Sequence, residues 1–271
     1  MKINKKVSEF FADNDCSQKF SSRFEYYAEM VASGGFEFVK CLLQEDLPDT
    51  ATFYAAMNVN QVVADMTCSY FESERLMKTA SRIQHFGYVK PDLPTLDIGC
   101  DSGVLLCCLA SLNPGAKFIG VDPNEAAISI ARDRASDLGL QNVEFVCDTA
   151  EHYLANARGA RFGLILALCV LSSSNPNFWL NQKVAGRYRE LINDFSASLD
   201  NDGKLITSER FFYDEEQFGF VRFVSESGFV LDKERSVILK LGRDDRCSFY
   251  VFEKGTGPLI QMRTFELMRA V

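Results

Sequence analysis

The sequence has few of the features that mark membrane proteins, secreted disulfide proteins and metal sites. No hydrophobic run approaches the roughly 18 residues that span a bilayer, and the basic N-terminal stretch has no apolar core after it, which disfavours a secretory signal. Histidine occurs twice in 271 residues. The nine cysteines are scattered without a Cys-x-x-Cys pair, so we expect reduced thiols, no metal site and a cytoplasmic protein.

Positive charge is also in deficit. Lys and Arg number 29 against 37 Asp and Glu, which gives a formal net charge of −8 at pH 7. Because such a chain repels a phosphate backbone on average, nucleic acid is disfavoured as the substrate and a small molecule is favoured. Hydrophobic residues make up 47% of the sequence, as in an ordinary globular protein. The sequence does not decide between a monomer and a homodimer.

The chain changes character near Pro91. Residues 1–90 have helical spacing broken by glycines and a proline, residues 91–254 alternate short apolar runs with helical patterns, and residues 255–271 form a tail. The runs that indicate buried strands are TLDIG, KFIGVD, VEFVCD, FGLILAL and GKLITSE. Strand and helix repeated in this way predict right-handed βαβ units and a parallel sheet. Two later runs predict an antiparallel pair at the sheet edge.

The first candidate ligand turn follows the strand TLDIG. Asp97 lies near the end of that strand, Gly99 and Gly103 lie in the turn, and a helix begins at Val104. Ligands of open α/β sheets bind at the carboxyl ends of the strands, where helix N-termini offer free N–H groups. The carboxylate of Asp97 suits an ammonium group and would repel a pyrophosphate. The alternative is an ordinary turn without a ligand.

Asp122 and Asp148 follow the second and third strand patterns. A carboxylate at Asp122, about twenty residues after the first turn, can accept both hydroxyls of a ribose. It can instead, or in addition, cap the next helix, with Pro123 at the first helical position and Glu125 at the third. Asp148 can accept from an adenine amino group, or it can cap the helix that contains His152.

Together the three turns resemble those of the class I S-adenosylmethionine-dependent methyltransferases. The resemblance covers roughly residues 75–253 and rests on the order and spacing of all three turns. It implies an α/β fold with a doubly wound, mostly parallel seven-stranded sheet, a reversed final strand and an N-terminal helical extension. It also implies S-adenosylmethionine as the cofactor, and methyl transfer to oxygen or nitrogen of a small molecule. Residues 91–254 would be the cofactor-binding domain, and residues 1–90 a lid or acceptor cover.

The resemblance implies a set of cofactor-binding residues. In chain order these are Asp97, Gly99, Cys100, Gly103, Asp122, Pro123, Asp148, Thr149 and Leu168. The first turn would hold the methionine end and Asp122 the ribose. Pro123 or Asn124 would lie against the adenine, and Asp148 with Thr149 would meet its edge. The backbone at Leu168 would meet the methionine amino group.

Two positions depart from the family pattern. Asp101 stands where the family usually has its middle glycine, and Gly163 stands where it often has Asp. No Asn/Asp-Pro-Pro-Tyr follows the fourth strand, which argues against amino methylation of adenine or glutamine. The catalytic base is unknown. The candidates are Glu209, which is otherwise a solvated charge at a strand end, and His152, which is otherwise a surface residue.

Several alternatives stay open. Aromatic residues at Phe24, Tyr26, Tyr27 and positions 211–213 could wall an acceptor pocket or could belong to the core. A catalytically weak, methyltransferase-like partner subunit fits the change at Asp101 and the lack of an obvious base. A nicotinamide-dependent oxidoreductase would share the fold but normally has Gly-x-Gly-x-x-Gly. A structural protein without a ligand would make the three turns a coincidence.

Overall fold

The computed structural model describes residues 2–44, 49–171, 182–210, 214–241 and 245–255. Within these ranges no helix is long and apolar enough to cross a membrane. No group of His, Cys, Asp and Glu in the same ranges is arranged to hold a metal ion. The predicted aromatic wall at positions 211–213 lies outside the described residues.

The region before the first strand is helical. Its described helices are α1 (Lys5–Asp13), α2 (Arg23–Ala32), α3 (Phe36–Leu43), α4 (Thr50–Met57), α5 (Gln61–Thr67) and α6 (Ser73–Phe86). A π-helical stretch, Cys68–Glu72, joins α5 to α6. Short polar side chains cap four of these helices by accepting an N–H of the first turn, namely Asn4, Ser22, Asp49 and Asn60. The prediction of an N-terminal helical extension is confirmed.

Strands and helices alternate from Thr95 onward. The strands are β1 (Thr95–Ile98), β2 (Phe118–Asp122), β3 (Val143–Cys147), β4 (Phe162–Leu168), β5 (Leu199–Ser208), β6 (Phe229–Leu231), β7 (Val237–Leu241) and β8 (Asp245–Lys254). The helices are α7 (Val104–Leu112), α8 (Glu125–Asp137), α9 (Ala150–Asn156), α10 (Gln182–Ser198) and α11 (Asp214–Glu226). Every residue of β4 is buried, as expected for a parallel strand covered on both faces.

The strand order is β3-β2-β1-β4-β5-β8-β6, and β7 pairs with β8 off this path. β4 runs parallel to β1 and β5, whereas β8 runs antiparallel to β5, β6 and β7. The seven-strand path with a reversed final strand confirms the predicted fold class, and β7 adds an eighth strand.

The predicted antiparallel pair at the sheet edge is wrong in one respect. β8 lies between β5 and β6, and the run expected to be one strand divides into β6 and β7. The cause is a turn at Asp232, whose Oδ1 accepts the N–H groups of Glu234 and Arg235 at 3.1 Å each. Asp side chains that bind the backbone in this way interrupt extended structure.

The chain forms two compact units. The first comprises residues 1–86, 100–115 and 119–148, and the second comprises residues 87–99, 116–118 and 149–271, so far as these are described. An aromatic and aliphatic cluster forms part of the core of the first unit, in which the rings of Tyr26 and Tyr70 stack with their centroids 4.0 Å apart. The role of residues 1–90 as a lid stays a prediction.

Candidate cofactor site

The turn after β1 has the left-handed backbone that its glycines predict. Gly99 and Gly103 have φ angles of 70° and 74°. Packing requires both glycines as well. A Cβ on Gly99 would lie 2.5 Å from Cγ2 of Val170, and one on Gly103 would lie 2.7 Å from the ring of Phe145. Replacing either glycine therefore disturbs the turn even before a ligand is considered.

Asp101 occupies the same turn with φ 48°. Aspartate tolerates this region better than most residues because its short side chain can form local hydrogen bonds. The Asp101 carboxylate accepts the side-chain N–H of Asn58, with 2.8 Å between Nδ2 and Oδ1. Its backbone N–H donates to Oδ2 of Asp122 over 3.0 Å. The departure from glycine is therefore accommodated by contacts on both the side chain and the backbone.

Asp122 ends β2 but does not cap α8. Its Oδ1 accepts the N–H of Asn124 over 2.8 Å. The N-cap is Asn124, whose Oδ1 accepts the N–H groups of Ala126 and Ala127. The capping alternative for Asp122 is thus wrong, because the helix begins two residues further on. The carboxylate is held by two backbone N–H groups instead.

The two carboxyl groups titrate above their ordinary range. Burial, followed by the nearby Asp122 carboxylate, raises the pKa of Asp101 to about 6, and the hydrogen bond from Asn58 opposes this rise. Burial also raises the pKa of Asp122, while the N–H groups of Asn124 and Asp101 lower it. Burial therefore makes ionisation of both carboxyl groups unfavourable, and a hydrogen-bond donor on a ligand would favour their ionised forms.

The third turn is joined to the second through the backbone. The N–H of Asp148 donates to the carbonyl of Asp122 over 3.1 Å. The cap of α9 is Thr149, whose Oγ1 accepts the N–H of His152 over 3.2 Å, so the capping alternative for Asp148 is wrong. The Asp148 side chain is half-buried, whereas Pro123, Thr149 and the His152 ring are exposed.

A buried ion pair is hydrogen-bonded to the backbone of the first turn. The guanidinium of Arg134 on α8 pairs with the carboxylate of Asp65 on α5, and their residues are 1% and 7% exposed. Nε of Arg134 also donates to the carbonyl of Ser102 over 3.1 Å. A buried charge pair with additional hydrogen bonds fixes backbone position strongly, because losing one partner leaves the other charge unpaired.

The second unit contains the other predicted residues. Asp97 is 3% exposed on β1 and lies opposite Leu166 in the register with β4, whose last residue is Leu168. The carboxyl ends of these parallel neighbours lie together. The role of Asp97 and Leu168 at the methionine end stays a prediction. Glu209, after β5, is 1% exposed, and its Oε1 accepts the N–H of Leu171 over 3.1 Å. The alternative of a solvated strand-end charge is therefore wrong.

The N-terminal aromatic residues do not behave as one wall. Tyr26 is completely buried in the core cluster, which contradicts its assignment to a pocket and supports the core alternative. Tyr27 packs against the same cluster, and Phe24 is 82% exposed.

Comparison with known proteins identifies the domain. Residues 89–211 match the family described as a methyltransferase domain. Residues 89–211 therefore form a methyltransferase domain. A solved structure with a similar fold is magnesium protoporphyrin IX methyltransferase from Synechocystis PCC 6803 with bound S-adenosylmethionine. It has a TM-score of 0.53 and 14% identity, and the match covers 88% of this chain and 100% of that one.

Two curated relatives match parts of this chain. A tRNA (guanine-N(7)-)-methyltransferase from Rubrobacter xylanophilus is 40% identical over 78 residues, which are 29% of this chain and 34% of the relative. A ubiquinone biosynthesis O-methyltransferase from Azorhizobium caulinodans is 40% identical over 95 residues, which are 33% of this chain and 36% of the relative. The chain thus spans about a third of the length of these relatives.

The prediction of a methyltransferase domain is confirmed, and S-adenosylmethionine is the cofactor expected for it. The roles of the individual residues in cofactor binding stay predictions. Three residues that contact the first turn or support it were not predicted from the sequence, namely Asn58, Asp65 and Arg134. No local signal could have found Asn58 or Asp65, because their partners lie 43 and 69 residues away.

Proposed function

We propose that this protein transfers a methyl group from S-adenosylmethionine to an oxygen or nitrogen atom of a small molecule. The observation that carries the proposal is the setting of Asp122 at the end of β2. Each of its carboxylate oxygens accepts one backbone N–H, from Asp101 and from Asn124. Because a carboxylate has about four lone-pair positions, two are left to accept the ribose hydroxyls.

Each unit contains a further carboxylate that the sequence assigns to the cofactor. In the second unit, the buried carboxylate of Asp97 lies beside the end of β4 and would attract the methionine ammonium group. In the first unit, Asp148 is tied to the Asp122 backbone and would meet the adenine edge. This charge pattern suits an adenosyl sulfonium and disfavours the pyrophosphate of a nicotinamide cofactor.

The reaction requires little chemistry from the protein. Methyl transfer from a sulfonium is an in-line displacement, in which the acceptor atom bonds to the methyl carbon as the sulfur–carbon bond breaks. The protein therefore mainly aligns the acceptor and excludes water. A hydroxyl or protonated amine also needs a base. The buried carboxylate of Glu209 accepts the N–H of Leu171, and the side chain of His152 is exposed. Neither observation identifies the residue as the catalytic base.

A small molecule is favoured over tRNA as the acceptor. The net charge of −8 opposes binding of a polyphosphate chain. The relative that acts in ubiquinone biosynthesis is named as an O-methyltransferase. The relative named for tRNA matches over 78 residues, which are about a third of its length.

The acceptor class can be tested with S-adenosylmethionine that carries a tritiated methyl group. The protein is incubated with a metabolite extract and, separately, with bulk tRNA, and the label is followed in each fraction. We expect label in the small-molecule fraction with the wild-type protein and much less with D122A. Label in tRNA alone would overturn the proposed acceptor. Cofactor binding without transfer to either fraction would favour the catalytically weak partner subunit.

A further inference from the structure

The C-terminal end of α4 contacts both the first and the second ligand turn. Nδ2 of Asn58 donates to Oδ1 of Asp101 over 2.8 Å and to the carbonyl oxygen of Tyr54 over 3.1 Å. Nδ2 of Asn124, in the second turn, donates to the same Tyr54 carbonyl over 3.1 Å. All four residues belong to the first compact unit. One helix end therefore joins two turns that are 21 residues apart in the chain.

Asn58 is placed for this contact at a cost in stability. The residue is 1% exposed, and its Oδ1 is buried without a hydrogen-bond partner among the described residues. A buried acceptor with no partner lowers the stability of the folded state. Such groups are uncommon in native proteins, and each needs a reason beyond packing. The contact with Asp101 supplies that reason.

A chain of hydrogen bonds leads from Asn58 to the predicted ribose carboxylate. Asn58 holds the side chain of Asp101, and the backbone N–H of Asp101 holds Oδ2 of Asp122. A glycine at position 101 would keep the left-handed backbone but would leave Asn58 with the Tyr54 carbonyl as its acceptor and no contact with the first turn. The aspartate at the family's glycine position therefore provides a direct contact between Asn58 and the first turn.

We propose that Asn58 is a positioning residue for the cofactor, acting through Asp101 to fix the turn that orients Asp122. We call this contact the Asn58–Asp101 clamp. The proposal rests on the proposed function, because it assigns Asn58 to the same S-adenosylmethionine site. Since coupling between two events is reciprocal, cofactor binding should also hold α4 more firmly in place.

The first test compares two asparagines of the same segment. Asn60 is the matched control, because it caps α5 through Val63 and donates to the Ser33 carbonyl rather than to a ligand turn. The affinity for S-adenosylhomocysteine is measured by isothermal titration in N58A and N60A. We expect N58A to bind about tenfold more weakly, as for a lost hydrogen bond to a charged group. N60A should bind within about twofold of the wild type.

The second test changes the side chain at position 58 alone and then exchanges the side chains at positions 58 and 101. N58D places two carboxyl groups in the clamp, so we expect weak binding at pH 8 and partial recovery at pH 5.5, as the pair takes up a proton. The carboxylates of Asp122 and Glu72 also raise the pKa of Asp101, and Glu72 forms an ion pair with Arg75. In N58D/D101N the amide and the carboxylate exchange places, and binding should be tighter than in N58D. Recovery should be partial, because a carboxylate at position 58 cannot donate to the Tyr54 carbonyl.

The outcomes separate the clamp from the function on which it rests. A wild-type protein that binds no S-adenosylhomocysteine overturns the proposed function and the clamp together. Wild-type binding with equal affinities for N58A and N60A overturns the clamp alone. Thermal unfolding checks that each variant folds. If N58A does not fold, D101G is tested instead. This variant removes the contact with Asp101 and keeps the buried side chain of Asn58 in place. Wild-type affinity in a folded D101G then contradicts the proposal.

Discussion

The backbone N–H of Asp101 lies 3.0 Å from Oδ2 of Asp122, so the turn after β1 is hydrogen-bonded to the residue that ends β2. The same carboxylate accepts the N–H of Asn124, and the carbonyl of Asp122 accepts the N–H of Asp148. Asp122 is therefore the residue at which three ligand turns meet. A change in its side chain should affect cofactor binding more than it affects the helix that follows.

The first prediction concerns the Asp122 carboxylate. D122A should weaken binding of S-adenosylhomocysteine by about 1–3 kcal/mol, because the ribose hydroxyls and two backbone N–H groups lose their acceptor. D232A is the matched control, since Asp232 also follows a strand and accepts two backbone N–H groups. Isothermal titration should show unchanged affinity in D232A. Equal affinity of D122A and D232A would remove Asp122 from the site.

The second prediction concerns stability against pH. Because the pKa of Asp101 is raised to about 6, the folded state binds an extra proton between about pH 4 and pH 6. Ionised Asp101 therefore lowers stability above pH 6, and this cost disappears below pH 4. D101N should be more stable than the wild type at pH 8 by up to about 3 kcal/mol, and the difference should vanish at pH 4.

Urea unfolding at several pH values measures this difference, and D49N provides a control of opposite sign. Asp49 caps α4, and its hydrogen bond from the Thr52 side chain lowers its pKa. Its ionised form therefore adds stability that is lost as the pH falls. D49N should be less stable than the wild type at pH 8, with a difference that shrinks towards acid. A pH-independent effect of D101N would show that Asp101 titrates normally.

The third prediction concerns the buried ion pair. R134M should lower the free energy of unfolding by about 3–5 kcal/mol, because the Asp65 charge stays buried without its partner. D65L/R134M should recover much of this loss, since both charges are then absent. K5A, which removes the exposed pair between Lys5 and Glu9, should change stability by less than about 0.5 kcal/mol. Similar losses in R134M and K5A would contradict the assignment.

The fourth prediction concerns Glu209. The buried carboxylate holds the N–H of Leu171 just beyond β4, which is a positioning contact. E209Q keeps an acceptor oxygen, so we expect kcat for methyl transfer within about threefold of the wild type, whereas E209A should lower it more strongly. Both variants are assayed from pH 6 to pH 9. A hundredfold loss in E209Q, with a changed pH profile, would instead make Glu209 the base.

The fold was largely predictable from the sequence because its strands are short apolar runs separated by helical periodicity. The strands β1 to β4 lie where their patterns indicated, and the reversed β8 agrees with the family resemblance. The division between β6 and β7 was missed. It depends on the side chain of Asp232 binding the backbone, and the same letters also fit a continuous strand.

The site was predictable where it depends on local order and was missed where it depends on long-range contacts. The turns at Gly99, Gly103 and Asp122 follow from strand, glycine and helix in sequence. The caps were misassigned because several neighbouring polar residues are able to cap, and a shift of one or two residues decides which one does. Asn58 gave no signal, since its partner in the first turn becomes a neighbour through folding alone.

Titration of the wild-type protein with S-adenosylhomocysteine and with NAD decides which of the two ligands the site takes. We expect saturable binding of S-adenosylhomocysteine with one site per chain, and no measurable binding of NAD, because carboxylates near the first turn repel its pyrophosphate. D122A in the same experiment should bind the adenosyl ligand more weakly. Measurable affinity for NAD without affinity for S-adenosylhomocysteine would contradict the account.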